Sequence, residues 1–134
     1  MSFSKIDFLE QIKKLLISSN VKNVVLFNSE KKTQFPLVVI DFGVMRNIPS
    51  TIDSSRRLKY IDLPIIIEIY TKDKEKEIKC LEIEQNIINC IQNSKELQNL
   101  QLDTSMQLPN IDNTIYRWRL SYNATIDCEN NGII

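Results

Sequence analysis

Hydrophobic and polar positions alternate without a break through the last quarter of the chain. Tyr116, Trp118, Leu120, Tyr122, Ala124 and Ile126 interleave with Arg117, Arg119, Ser121, Asn123, Thr125 and Asp127. This period of two predicts a half-buried β-strand. From Ile115 to Asp127 it holds thirteen residues, which extend over about 43 Å. Most strands have roughly 5–6 residues. One this long bends or runs past its own subunit, where its polar face and its end must meet something else. The chain therefore reads as one unit of an assembly.

The earlier segments follow the same logic. Residues 4–18 have apolar positions at Ile6, Leu9, Ile12, Leu15 and Leu16, the spacing of a helix face. Ser4 is placed to cap this helix, with Asp7 three residues on. Val24-Val25-Leu26-Phe27 is a short apolar run between asparagines, and Phe35-Pro36-Leu37-Val38-Val39-Ile40-Asp41-Phe42-Gly43 is a second. Their short polar link predicts a hairpin. Residues 44–55 lose the pattern and predict a long loop, a length often tied to function. Residues 56–72 predict another long strand. Its odd-numbered face is apolar from Ile61 onward, and Pro64 marks a bulge, bend or edge.

Residues 73–92 predict a second helix, with Cys80, Leu81, Ile83, Ile87, Ile88 and Ile91 on one face. Glu84 lies inside that apolar arc, either reaching out at its rim or pairing across a subunit interface. Residues 93–110 are polar, with room for a short strand near Leu100 to Asp103. Pro109-Asn110 is a turn signal before the final strand. Together these elements predict a single α+β domain over residues 1–134, with a mainly antiparallel sheet of about four strands and two main helices packed on it.

Composition narrows the chemistry. Seventeen basic residues balance seventeen acidic ones, so the basic excess of a free-standing nucleic-acid binder is missing. Near-zero net charge favours association. The spacings of Cys80, Cys90 and Cys128 match no zinc or redox motif, and predict reduced core thiols in a cytoplasmic protein. The first residues lack a signal-peptide pattern, and no apolar run nears the ~20 residues of a membrane span. The chain contains no histidine, the commonest general base. With Gly43 and Gly132 its only glycines, it has no glycine-rich phosphate cradle. No cofactor or metal site is expected, and nothing in the sequence supports an enzyme. Tyr116, Trp118 and Tyr122 suggest base stacking, but the alternation puts them on the face opposite Arg117 and Arg119. An aromatic core stripe is the simpler reading. The arginines then face solvent, a second layer or a neighbouring subunit.

The order of elements and three stretches resemble the tail-completion or tail-terminator proteins of tailed bacteriophages. The stretches are Phe35-Pro36-Leu37-Val38-Val39-Ile40, Ile67-Glu68-Ile69-Tyr70-Thr71-Lys72, and the run from Asn110 through Ile111-Asp112-Asn113-Thr114-Ile115-Tyr116-Arg117 to Tyr122. The resemblance covers most of the chain. It implies a structural virion protein, or a part of a phage-derived contractile bacteriocin, assembled in the host bacterial cytoplasm. Six copies would form a homo-hexameric ring on the head-proximal end of the tail tube. The implied partners are the tail tube protein, head–tail connector or neck proteins, and a sheath if the tail contracts. DNA would pass through the channel without specific binding, and no membrane is involved.

Exposure arguments and this resemblance together nominate inter-subunit or tube contacts. In the loop and the basic stretch after it they are Arg46, Ile48, Ser50, Thr51, Asp53, Arg56 and Arg57. Near the last strand they are Asp112, Asn113, Arg117 and Arg119. Two other classes fit the same residues: a different neck component such as a head-completion or stopper protein, and a small cytoplasmic binding domain or enzyme unrelated to phage.

Overall fold

A computed structural model describes residues 4–27, 34–43, 46–47, 60–72, 76–97, 100–112, 114–127 and 132–133. At residues 46–47, 76, 110–112, 127 and 132–133 it describes the backbone alone. The fold is α+β. In chain order it runs α1 (Lys5–Ser18), β1 (Val24–Leu26), β2 (Leu37–Phe42), β3 (Arg46–Asn47), β4 (Tyr60–Lys72), α2 (Lys76–Gln92), β5 (Gln101–Asp112), β6 (Ile115–Asp127) and β7 (Gly132–Ile133). The main path of the sheet is β1-β2-β4-β6-β5, with β3 beside β4 and β7 beside β6. The path has five strands where the sequence predicts about four. The extra one is β5, for which the sequence shows only room for a short strand near Leu100 to Asp103; the strand found there is longer, from Gln101 to Asp112.

Strands β4 and β6 form the spine. They stay paired without a shift from Tyr60 opposite Asp127 to Lys72 opposite Ile115. Side chains in strands alternate between faces, so this register fixes two surfaces. The first carries Leu63, Ile65, Ile67 and Ile69 of β4 with Leu120, Tyr122, Ala124 and Ile126 of β6, all buried. Both helices contribute to that core: Phe8, Leu9, Ile12 and Leu16 from α1, and Cys80, Ile83, Ile87 and Ile91 from α2. The apolar faces are therefore close to those the spacing predicts, with edge corrections. Ile6 and Leu81 are 58% and 50% exposed, and Phe8 takes a core position instead. Each helix rotates so that its longest buried row points at the sheet. The Ser4 cap forms as expected, its Oγ accepting the Asp7 N–H at 3.2 Å.

Four local expectations need correction or narrowing. The first apolar pair is not a hairpin: β1 and β2 run parallel, with Val24 opposite Val38 and Leu26 opposite Ile40. Asn23 and Phe27 flank β1 at positive φ (56° and 63°) and turn the chain out of the strand at both ends. Asn23 also accepts from Val38 N–H and Phe27 donates to Ile40 C=O, so the short strand is clipped to β2 along its whole length.

The register against β4 shifts by one between Phe42 opposite Ile65 and Arg46 opposite Asp62, the bulge expected near Pro64, but Pro64 is not on an edge. It lies in β4, between β2 and β6, directly opposite Asn123. Its missing N–H points the same way as its C=O, which accepts from Gly43 N–H at 2.8 Å. At that point β2 has ended and β3 has not begun, so no ladder bond is lost. The approach is close: a Cβ on Gly43 would sit 2.7 Å from Pro64 Cβ. Both the strand backbone and the proline ring are stiff. Gly43→Ala is expected to destabilise the fold by roughly 1–3 kcal/mol through overpacking, read as a lower urea midpoint with unchanged slope.

The third concerns the turn before β6. Pro109 and Asn110 lie inside β5, within an irregular stretch between Leu108 and Asp112. Asp112 pairs with Ile115, so the chain reverses between those two residues. Fourth, the predicted loop begins with a strand: Arg46 and Asn47 pair with Asp62 and Ile61 as β3. The remainder of that loop, and the basic residues 56–59 predicted at the start of β4, lie outside the described residues.

Candidate functional site

The second face of the sheet carries the charged residues of the spine. The register sets Glu68 directly opposite Arg119 and Tyr70 directly opposite Arg117. On the other flank of β4, Val39 is opposite Glu68 and Leu37 opposite Tyr70. Leu37, Val39 and Tyr70 form a small buried cluster, with Phe35 and Ile115 packed against it. Glu68 borders that cluster and is 9% exposed. A carboxylate so placed needs partners, and it has them on both oxygens. Arg119 donates to Oε1 from Nη2 at 2.7 Å and from Nε at 3.3 Å. Tyr70 donates its hydroxyl to Oε2, and Arg117 Nη2 lies 3.6 Å from the same oxygen. The Arg117 guanidinium also lies 5.5 Å from the centre of the Tyr70 ring, within cation–π range.

The electrostatics follow from this packing. Burial alone would push the Glu68 carboxyl up. The hydrogen bonds from Tyr70 and Arg119, with the charges of Arg119 and Arg117, outweigh burial and hold it below its ordinary value. Burial and the bond to Glu68 push the Tyr70 phenol up to about 12. The cluster thus contains one carboxylate, one neutral phenol and two guanidiniums. Both carboxylate oxygens are already engaged, so Glu68 is unsuited to act as a general base. The arrangement is that of a braced platform.

Arg117 also braces the hairpin. Its Nη1 donates to the Pro109 C=O at 3.4 Å, holding the irregular part of β5 against β6. Its Nε is buried with no partner among the described residues. Beside the cluster, a groove of about 480 Å³ lies between the Gly43–Pro64 approach and the β5 bulge, bordered by Asp62, Ser121 and Asn123. Asp62 accepts there from Asn123 and Thr125.

The first face ends in a second polar link. Trp118 Nε1 donates to Ser105 Oγ at 2.8 Å, and that hydroxyl donates to Glu84 Oε1 at 3.2 Å. Glu84 therefore reaches from the apolar arc of α2 to strand β5. Its second oxygen is buried without a partner among the described residues. Tyr116 and Trp118 stack at 6.4 Å on this side, as expected of an aromatic stripe facing the helices. Cys80 is buried and Cys90 half-buried, both as free thiols. Burial pushes the Cys80 thiol up, against a hydrogen bond with Thr71. Among the described residues no three His, Cys, Asp or Glu side chains gather as a metal site would need. None of the described helices is long and apolar enough to cross a membrane.

Of the nominated contacts, Arg117 and Arg119 lie side by side on the second face, 24% and 35% exposed in their side chains. Arg46 and Asp112 are placed by backbone only, in β3 and at the end of β5. Ile48, Ser50, Thr51, Asp53, Arg56, Arg57 and Asn113 lie outside the described residues. Glu68 and Tyr70 are not among the contacts expected from the sequence, although its pattern puts both on the same face of their strand. Their partnership with the arginines depends on a register that joins residues 51 positions apart. Compared with known proteins, the chain matches no family model and no curated protein.

Proposed function

We propose that this chain is the subunit of a ring that caps the head-proximal end of a phage or phage-like tail tube. The reading rests on the sequence resemblance to tail-terminator proteins. The observation that best supports it is the spine of β4 and β6. Thirteen residue pairs in unbroken register make a stiff slab, with both helices packed on its first face. Its second face carries Arg117 and Arg119 in fixed positions. Subunits that must repeat one geometry around a closed ring need such a slab, because a heterologous contact closes only at a set rotation.

The mechanism is steric. One ring face binds the last ring of the tube and occupies the surface on which the next tube subunit would add. The other face offers the joint to the head connector. No chemical step is required, in keeping with a carboxylate whose oxygens are both taken up by structural partners.

Residues 48–55 follow β3 directly and carry several nominated contacts. Replacing them with a short glycine–serine link, which keeps β3, is expected to leave the subunit folded and to abolish joining of tails to heads. Circular dichroism checks the first outcome and an in vitro head–tail joining assay the second. Normal joining by the shortened protein would remove this segment from the account.

A further inference from the structure

Among the described residues no strand pairs with the outer edge of β5, and residues 101–107 are all open to solvent. Edge strands in natural proteins are usually guarded by charge, proline or bulges, which stop another strand from adding. β5 has a bulge between Leu102 and Thr104, and Pro109 lies within its second irregular stretch. Between these guards, Thr104-Ser105-Met106-Gln107-Leu108 keeps an unbroken register against β6, from Ser121 to Arg117. This window holds no charge and no proline, and Met106 at its centre is 50% exposed. The two guards, at Asp103 and Pro109, lie three residues to either side of Met106.

We propose that two copies of the chain pair through this window, β5 against β5 and antiparallel, with Met106 on the two-fold axis. In that register Met106 faces its own counterpart, Ser105 faces the partner's Gln107, and Thr104 faces the partner's Leu108. The Asp103 bulge then falls opposite the partner's Pro109. Interruption meets interruption, so the regular window closes without a misfit. Thr104, Met106 and Leu108 share the second face of the sheet, where they make a continuous seam. Such a contact is isologous, so a single kind of subunit satisfies it.

Electrostatics do not oppose the pairing. Arg119, beside Met106 on β6, lies one strand in from the edge. The two copies of it would be three strand spacings apart, about 14 Å, beyond a screening length of about 8 Å at physiological salt. Each is also already paired with Glu68. The zero net charge of the chain adds no long-range repulsion. A ring contact runs head to tail, so this two-fold contact is a separate one and holds whether or not rings form.

Two variants test it. Met106→Lys sets two ammonium groups directly opposite each other, which cross-strand pairing disfavours. It is expected to halve the mass seen by light scattering with no change in circular dichroism: from two chains of 15.7 kDa to one, or from a double ring to a single ring. Met106→Cys is expected to give a reducible two-chain species under mild oxidation. Gln101→Cys, five residues from the axis, should give no more than the parent chain. A native mass of one chain, a mass that Met106→Lys leaves unchanged, or equal cross-linking at both positions would each overturn the pairing.

Discussion

Glu68→Ala is expected to lower the stability of the fold by about 2–3 kcal/mol at neutral pH. Removing one member of a buried ion pair typically costs ~3–5 kcal/mol, because the remaining charge stays buried and unpaired. Here the side chains of Arg117 and Arg119 are about a quarter and a third exposed, so water recovers part of that cost. The Tyr70 hydroxyl loses its acceptor as well, and Tyr70 is fully buried. Urea unfolding of the two proteins at neutral pH measures the difference. A change below about 0.5 kcal/mol, the usual range for surface substitutions, would mean that the cluster does not brace the sheet.

The same cluster sets a pH dependence. The folded Glu68 carboxyl is held below its ordinary 4.5, so the unfolded chain binds the proton more readily. The stability this contributes is fully present above the unfolded value and is lost as pH falls through the folded one. Glu68→Gln should therefore flatten the acid limb of the stability curve. Tyr70 acts at the other end. Its phenol is pushed up to about 12 from 10.0, so its contribution is complete below pH 10 and disappears as pH rises towards 12. In Glu68→Gln the Tyr70 phenol should titrate lower, because both its bond to the carboxylate and the nearby negative charge are gone. Ultraviolet titration reads that shift directly.

The second large effect is expected at Ile67. Its side chain is fully buried at the middle of β4, opposite Ile40 on β2 and Leu120 on β6, which are also fully buried. Ile67→Ala should cost roughly 3–4 kcal/mol, the lost transfer energy plus the cavity left between two strands that cannot collapse into it. Its neighbour Ile66 points to the second face and is only half-buried, so Ile66→Ala should cost about 1 kcal/mol. Paired measurements on adjacent residues test the assignment of the two faces. Equal losses would contradict it.

The parts of this fold that the sequence revealed share one property: one side is wet and the other dry. Strand β6 alternates cleanly because the helices cover one face and leave charges on the other, so both of its faces could be read from period two. The apolar half of β4 and the apolar stripe of each helix were readable for the same reason. Strands β1 and β2 read as a hairpin because the link between them is short, although Val24-Val25-Leu26-Phe27 and Leu37-Val38-Val39-Ile40 are continuous apolar runs. Such runs suit a strand buried on both faces, the usual setting of parallel pairs. In β2, Leu37, Val38, Val39 and Ile40 are all buried. The run itself therefore held the signal, and the shortness of the link obscured it.

Strand β5 was nearly invisible because residues 101–107 are exposed on both faces, which leaves little hydrophobic period to detect. Its bulge near Asp103 also shifts the phase of the few apolar residues it has. The Glu68 cluster shows a different limit. Each residue could be placed on the correct face of its own strand, but pairing Glu68 with Arg119 needs the register of two strands separated by a whole helix and another strand. Local patterning cannot supply that register.

The most direct test of the account is to image tail tubes assembled from the tube protein encoded in the same genome, with and without this chain added. The account predicts a six-fold ring at one end of each tube and an end to tube growth when more tube subunits are supplied. Tubes that keep lengthening at both ends, with this protein left free in solution, would contradict it.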